Sequence, residues 1–210
     1  MYKRQIFDSA RKTFRNEIYS DYKANRAEAP DDLAPQFDYI RQSVLAFNLP
    51  SLELINYEAD DLIATYVEMI LKEGAKATIV SSDKDLMQLY KKNVRIYDPM
   101  KNKFISEEDI KNKFGVGASK VIDVQALAGD SSDNVPGVPG IGVKTAAELI
   151  NKYGDLEKLL KSAHEIKQNK RRETLIENKD KALISKKLVT LKSDAPVNKK
   201  LTDLELKSID

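Results

Sequence analysis

The chain has 210 residues, of which 41% are hydrophobic and 32% are charged, so it can bury a sizeable core in one or two domains. It contains no cysteine and one histidine, which excludes disulfides, thiolate zinc sites, cysteine nucleophiles and Ser-His catalytic pairs, and leaves oxygen ligands for any metal. No apolar run reaches the ~18 residues of a membrane span and no signal segment is present, which predicts a cytoplasmic protein without membrane contact.

The net charge of +2 conceals a segregation of charge along the chain. Residues 1–26 carry seven basic and three acidic side chains, 7 − 3 = +4, and residues 161–192 carry ten and four, 10 − 4 = +6. Residues 51–110 carry eight basic and twelve acidic side chains, 8 − 12 = −4. An acidic middle between basic ends suits a metal centre flanked by phosphate-binding surfaces, although solvated surface charge explains the same pattern.

The first half of the chain alternates helical and strand patterns. Apolar residues at helical spacing predict an amphipathic helix over residues 31–47, opened by Pro30, Asp31 and Asp32. The elements that follow are a strand over 52–55, a helix over 59–73 closed by Gly74, and strands over 77–80 and 94–97. This alternation predicts βαβ units and a parallel sheet, in which ligands gather at the carboxyl ends of the strands.

The second half of the chain is predicted to be all-helical from Ser106, which forms a capping box with Asp109. Helices are expected over 118–128, 143–152, 155–161 and 171–191, with Gly and Pro concentrated between Gly129 and Gly142. We therefore predict an α/β domain over residues 1–105, a helical domain over 106–196, and a tail or linker over 197–210.

Three acidic clusters and one single aspartate follow predicted strands or open helices. They are Glu58, Asp60 and Asp61 in YEADD, Asp83 and Asp85 in SSDKD, Asp130 and Asp133 in GDSSDN, and Asp8 in IFDS. Helix capping and turn formation explain each cluster by itself. Their repetition favours a shared counter-charge, namely two Mg²⁺ or Mn²⁺ ions about 3.5 to 4 Å apart that activate water against a phosphodiester.

Two further segments carry features of nucleic-acid binding. In NVPGVPGIGVKTAAELI, the glycines Gly137, Gly140 and Gly142 predict a tight hairpin whose backbone N–H groups and Lys144 can approach a phosphate, with a plain loop as the alternative. In residues 11–26, basic residues alternate with Phe14, Tyr19 and Tyr22 as in a basic helix that grips a single strand. Aromatic residues at this spacing also suit a core.

Four motifs in order give the chain a family resemblance: FDSARKTFRNEIYSDYKANR, YEADDLIA, SSDKDLMQL and GDSSDNVPGVPGIGVKTA. Together they resemble the 5′ nuclease region of bacterial DNA polymerase I and related flap endonucleases, over about residues 6–196. The resemblance implies a PIN-like α/β domain with a helical arch, followed by a helix-hairpin-helix domain of the helix-three-turn-helix type. It also implies a monomer that removes nucleotides from DNA 5′ ends and cuts 5′ flaps.

The resemblance assigns roles to sixteen residues. The metal carboxylates are implied to be Asp8, Glu58, Asp60, Asp61, Asp83, Asp85, Asp130 and Asp133, while Arg15, Tyr22, Lys23 and Arg26 orient the scissile phosphate. The hairpin residues Gly137, Gly140, Gly142 and Lys144 are implied to hold duplex backbone, with a monovalent cation.

The chain departs from the family at its start. The family begins with an apolar strand that supplies another metal-site aspartate, whereas Lys3, Arg4 and Gln5 stand here in place of an apolar strand. We therefore expect a missing first strand, a foreign segment over Met1–Gln5, and reduced stability and activity. A catalytically silent DNA-structure-binding fragment is the alternative, and an RNA-directed PIN-type nuclease, which leaves the hairpin unexplained, is a third.

Overall fold

The structure, a computed structural model, describes residues 4–205 and divides into two compact units. The first consists of the described parts of Met1–Phe14, Arg26–Lys76 and Leu191–Asp210, and the second consists of Arg15–Asn25 and Ala77–Thr190. Within residues 4–205, no helix is both long enough and apolar enough to cross a membrane.

The first unit is built on a short parallel strand pair covered by a helix. Strand β1 (Gln5–Ile6) pairs with β2 (Ser51–Leu52), and helix α3 (Ala59–Lys72) packs against β1. The core of this unit consists of Leu52, Leu62, Tyr66, Leu201 and Leu204, the last two from the 3-10 helix Leu201–Leu204. The predicted strand over 52–55 is thus shorter, because the chain turns at Ile55 and Asn56, where Asn56 has a φ of 73°.

Part of the segment expected to be foreign is integrated into this unit. Gln5 pairs with Ser51 in the strand pair. The Arg4 guanidinium lies 5.1 Å from the ring centroid of Tyr66, which is a cation–π contact. Met1–Lys3 lie outside the described residues.

The helix predicted over 31–47 is shorter than expected. Residues 31–35 form turns, and α2 spans Gln36–Ala46, because Pro35 disfavours helical backbone at the residue before it and pre-sets the first helical turn after it. None of its residues is buried in the unit, and its apolar side chains, such as Phe37 and Ile40, are exposed.

The second unit joins a three-stranded sheet to a group of helices. Strand β3 (Ala77–Val80) pairs in parallel with β4 (Val94–Asp98), which confirms both predicted strands. Strand β5 (Lys103–Ile105) pairs antiparallel with β4, so the sheet is mixed rather than wholly parallel. The prediction missed β5 because it has only three residues and no alternating pattern of its own.

The helices of the second unit follow β5, and most agree with the expected ranges. They are α4 (Glu107–Phe114), α5 (Val121–Ala128), α6 (Val143–Tyr153), α7 (Leu156–Lys161), α8 (Asn169–Glu177) and α9 (Lys179–Val189), with 3-10 turns at Asp85–Leu89, Ala118–Lys120 and Ala163–Glu165. The single helix predicted over 171–191 is two helices, because Asn178 leaves helical geometry with φ −108° and ψ 23°. The predicted capping box of Ser106 and Asp109 is confirmed.

The compact units do not follow the boundary predicted at residue 105. Residues 77–105 cluster with the helices that follow them, because the 3-10 turn Asp85–Leu89 packs against α5 and against the turn Ala118–Lys120. Residues 191–205 return to the first unit, where Leu201 and Leu204 complete its core. Of the predicted tail over 197–210, residues 206–210 lie outside the described residues.

Candidate functional site

The predicted acidic residues divide between the two units. Asp8, Glu58, Asp60 and Asp61 belong to the first unit, and Asp83, Asp85, Asp130 and Asp133 belong to the second. Their joint assignment to one metal centre therefore remains a prediction.

The acids of the first unit gather at the N-terminus of α3. Asp8, which follows β1, accepts a hydrogen bond on Oδ1 from the Ala59 N–H at 2.7 Å. Asp61 is fully buried and accepts from the Glu58 N–H at 3.1 Å and from the Lys192 N–H at 2.8 Å. The helix dipole favours negative charge at this end, so the capping role predicted for these acids is present. Both carboxylate oxygens of Asp61 accept backbone N–H groups. Asp8 is exposed and Asp60 is half-buried.

The acids of the second unit follow β3 and α5. Asp83 accepts the Asp85 N–H at 2.8 Å, which closes an Asx-turn after the strand. Asp130 accepts the Ser132 N–H at 2.8 Å and lies 2.5 Å from the Lys84 ammonium. The turn role of both aspartates is therefore real, and the Asp130 carboxylate lies next to the Lys84 side chain.

The charges of this second group act on one another. Burial raises the pKa of Asp85 to about 6, the neighbouring Asp83 charge adds to the rise, and a hydrogen bond from Gln125 opposes it. Burial depresses the pKa of Lys84, but the bond to Asp130 and the charges of Asp130, Asp85 and Asp133 raise it overall. Asp85, Asp130 and Asp133 therefore share Lys84 as a counter-charge, and this excess of negative charge favours a further cation.

The residues suit a divalent metal by donor type and charge. Within the described residues, no three or more His, Cys, Asp or Glu side chains are grouped so that they could hold an ion. In the second unit, lysine ammonium groups, the Gln125 amide and backbone N–H groups engage carboxylate oxygens. Hard carboxylate oxygens remain the ligand type that Mg²⁺ and Mn²⁺ prefer.

The segment predicted as a basic helix is mostly irregular. Helix α1 covers only Phe14–Ile18, and turns follow at residues 20–25. Arg15 is 1% exposed, and its guanidinium donates to the carbonyl oxygens of Leu188 at 2.8 Å and Thr190 at 3.3 Å. Arg15 thus binds the end of α9, and its predicted contact with a phosphate stays a prediction.

The next residues of this segment contact the Asp130–Asn134 loop. Tyr22 is buried against Val135 and Leu188, and its hydroxyl donates to Asp133 Oδ2 at 3.3 Å. The Lys23 N–H donates to the Asp133 carbonyl at 2.9 Å, and the Lys23 ammonium lies 3.6 Å from Asp133 Oδ2. Tyr22 is therefore a core residue, which was the alternative interpretation of the aromatic spacing. Tyr22 and Lys23 both contact Asp133 in the acidic loop. Arg26 is exposed and belongs to the first unit.

The glycines of the predicted hairpin occupy two kinds of position. Gly137 is buried with a φ of +58°, its N–H donates to Ser185 Oγ at 2.9 Å, and a Cβ there would lie 2.4 Å from the Gly129 nitrogen. A Cβ on Gly140 or Gly142 would have no neighbour within 4 Å. Gly142 is the N-cap of α6, and Lys144 is exposed in its first turn. The open part of the hairpin is therefore Gly140–Lys144, in which Ile141 alone is buried, whereas Gly137 serves packing.

Sequence reasoning missed two residues of the second unit. Lys84 stands among the acids as their counter-charge, and the Gln125 amide donates to Asp85 Oδ1 at 2.6 Å. The only signal in the sequence was a glutamine inside the otherwise apolar stretch VQALA.

Two family models match the chain end to end. The model described as 5'-3' exonuclease, N-terminal resolvase-like domain, matches residues 3–115, and the model described as 5'-3' exonuclease, C-terminal SAM fold, matches residues 116–210. Their junction lies ten residues beyond the predicted boundary at residue 105. The α/β domain followed by a helical domain, as predicted, is confirmed by these matches.

The curated relatives include long DNA polymerases I and shorter 5'-3' exonucleases. The DNA polymerase I of Rhizobium leguminosarum is 55% identical over 201 residues, which cover 96% of this chain and 20% of that protein. The 5'-3' exonuclease of Buchnera aphidicola is 40% identical over 208 residues, which cover 96% of this chain and 73% of that protein. The chain therefore spans about a fifth to a quarter of the length of the polymerase relatives.

Solved structures share the fold. The bacteriophage T5 5'-exonuclease with divalent metal ions (zinc) bound has a TM-score of 0.79 at 24% identity, covering 90% of this chain and 73% of that chain. The bacteriophage T5 flap endonuclease in a pseudo-enzyme-product complex with DNA and metal ions has a TM-score of 0.78 at 23% identity, with the same coverage.

Proposed function

Because the chain belongs to the 5'-3' exonuclease family, we propose that it is a metal-dependent nuclease that removes nucleotides from DNA 5′ ends and cuts 5′ flaps. The observation that carries this proposal is the placement of acidic residues at the helix and strand ends of both units, within the residues that the family models match. In the longer polymerase relatives such a region is one part of the protein, so we propose a role in DNA replication and repair. It would act as a monomer in the cytoplasm.

We propose that eight carboxylates hold two Mg²⁺ or Mn²⁺ ions. The T5 relative that binds divalent ions supports a metal, and the oxygen-only ligand set of this chain supports hard cations. Such ions, when bound, activate water and stabilise the attacking and leaving oxygens of a phosphodiester. The assigned ligands are Asp8, Glu58, Asp60, Asp61, Asp83, Asp85, Asp130 and Asp133.

Three basic side chains and one tyrosine would orient the DNA strand at the reacting phosphate. Lys23 is the best supported of them, because its backbone and its ammonium are tied to Asp133, one of the assigned ligands. Because the ring of Tyr22 is buried, Tyr22 would act through the hydrogen bond from its hydroxyl to Asp133. Arg15 and Arg26 complete the proposed set, with Arg15 holding the segment against α9.

We propose that the open part of the hairpin, Gly140–Lys144, binds duplex backbone. The first turn of a helix has N–H groups without an intrahelical partner, and α6 begins directly after the exposed Gly142. The exposed Lys144 adds positive charge there. Backbone donors contact phosphates without reading bases, so recognition would depend on DNA shape rather than sequence. A monovalent cation held by hairpin carbonyls is part of the same proposal.

A flap-cleavage assay with Mg²⁺ tests the nuclease function. Asp60→Ala and Asp83→Ala remove a proposed ligand from each unit, and neither side chain is buried, so both variants should fold. We expect each variant to lose most cleavage of a 5′-labelled flap substrate and to bind the same flap normally in Ca²⁺, because the hairpin is unchanged. Asp180→Ala, which removes an exposed acid of α9, is the matched control and should cleave like the parent.

The outcomes of this assay distinguish a nuclease from a catalytically silent DNA-structure-binding fragment. Metal-dependent cleavage by the parent and its loss in both variants support the nuclease. If the parent binds flaps but cleaves none of them with either Mg²⁺ or Mn²⁺, the chain is the silent DNA-structure-binding fragment. If both variants cleave at the parent's rate, the ligand assignment is wrong.

A further inference from the structure

Gln125 is a buried polar residue on the apolar helix α5. Its side chain is 4% exposed, and the neighbouring Val124, Ala126 and Leu127 are fully buried. Its Nε2 donates to Asp85 Oδ1 at 2.6 Å, across 40 residues of sequence. The amide therefore connects α5 to the turn that carries Asp83 and Asp85.

The other end of the same amide has no partner. Among the described residues, no group makes a hydrogen bond of acceptable geometry to the buried Gln125 Oε1. A buried acceptor without a donor costs free energy that an apolar side chain of the same size avoids. Packing and stability alone therefore favour methionine or leucine at this position, and the presence of an amide points to a role in function.

That role is at the Asp85 carboxylate. The Gln125 bond lies on Oδ1, so Oδ2 is the oxygen that remains for a cation. A charged carboxylate in one orientation is what a hard cation requires, and residues that hold such ligands contribute strongly to affinity.

We propose that Gln125 is a positioning residue that holds the Asp85 carboxylate in place for a divalent metal ion. This inference rests on the proposed function, in which Asp85 is a metal ligand. Gln125 itself does not contact the ion in this proposal, and it acts only through its hydrogen bond to Asp85.

The test combines metal affinity with stability in the 210-residue chain. Gln125→Met removes the amide and keeps an unbranched side chain of similar volume. We expect Mn²⁺ affinity, measured by isothermal titration calorimetry, to fall by about 10- to 100-fold, as for other residues that orient metal ligands. We expect the melting temperature without metal to stay equal or to rise, because the unsatisfied acceptor is gone. A purely structural Gln125 predicts the reverse pair of results.

Asp123→Asn is the matched control. Asp123 is also buried on α5, but its Oδ1 lies 2.8 Å from the Lys186 ammonium, away from Asp85. We expect this variant to lower the melting temperature and to leave Mn²⁺ affinity unchanged. Equal loss of Mn²⁺ affinity in both variants would show a general effect of disturbing α5 and would overturn the proposal.

Asp85→Asn distinguishes this inference from the proposed function. If Asp85→Asn leaves Mn²⁺ affinity unchanged, Asp85 is not a ligand and the ligand assignment fails. If Asp85→Asn weakens binding and Gln125→Met does not, only the role of Gln125 fails. If both weaken binding, the double variant decides, because a residue that acts through Asp85 adds no loss to Asp85→Asn. Additive losses would show that Gln125 acts independently of Asp85.

Discussion

Gly137 and Gly142 belong to one sequence motif, but they have different reasons to be glycine. Gly137 combines a φ of +58° with a backbone nitrogen 2.4 Å from where a Cβ would lie. We expect Gly137→Ala to lower the free energy of unfolding by at least ~2 kcal/mol and the melting temperature by about 4 to 8 °C. Circular dichroism during thermal unfolding measures the change.

Gly142→Ala is the comparison for that variant. Its φ of −87° suits any residue and the space around it is open. The cost should stay below ~1 kcal/mol, that of a weaker N-cap. DNA affinity by fluorescence anisotropy should nevertheless fall, because the added methyl group stands where a phosphate would approach the amide. Normal flap affinity in Gly142→Ala would contradict the hairpin proposal, and normal stability in Gly137→Ala would contradict its packing role.

At the scale of an element, α4 begins at a network of hydrogen bonds around one carboxylate. Asp109 accepts from the Ser106 N–H at 2.9 Å, the Ser106 hydroxyl at 2.8 Å and the Lys103 ammonium at 2.6 Å. These bonds lower the pKa of Asp109 well below its usual range, and the bond from Lys103 has the largest effect. The folded state thus binds the Asp109 proton less tightly than the unfolded chain, for which the pKa is about 3.9.

The consequence for α4 is a pH-dependent contribution to stability. A lowered pKa in the folded state stabilises it at pH values above the unfolded pKa, and this contribution is lost as the pH falls below about 4 toward the folded pKa. We expect Asp109→Asn to be less stable than the parent at pH 7, with a difference that shrinks between about pH 4 and pH 2.5. Urea unfolding at each pH measures it, and a difference independent of pH would show that charge is not involved.

For the whole molecule, we expect the distribution of charge along the chain to govern the proposed DNA binding more than the net charge of +2 does. Each lysine that neutralises one phosphate releases condensed counterions, so affinity depends on salt. If Lys144 makes one such contact, Lys144→Ala should reduce the slope of log K against log salt by about 0.9. Lys144→Arg keeps the charge and should keep the slope. A parental slope in Lys144→Ala would exclude that contact.

Much of the fold follows from local pattern. Strand β3 and helix α3 lie where apolar periodicity predicted them, and the Ser106 capping box lies where its spacing predicted it. These elements are determined by neighbours within a few residues, and such signals are present in the sequence itself. The order of the acidic motifs was likewise sufficient to identify the family, because the order and spacing of motifs are properties of the sequence and do not depend on packing.

Tertiary structure decided what those residues contact. Arg15 and Tyr22 are basic and aromatic residues in a pattern typical of nucleic-acid binding, yet one binds the end of α9 and the other lies in a core. Gln125 had no motif at all, and only the fold brings it to Asp85 across 40 residues. Composition and spacing determine which side chains are available, but burial and partners depend on segments far apart in sequence, and only the packed chain brings those together.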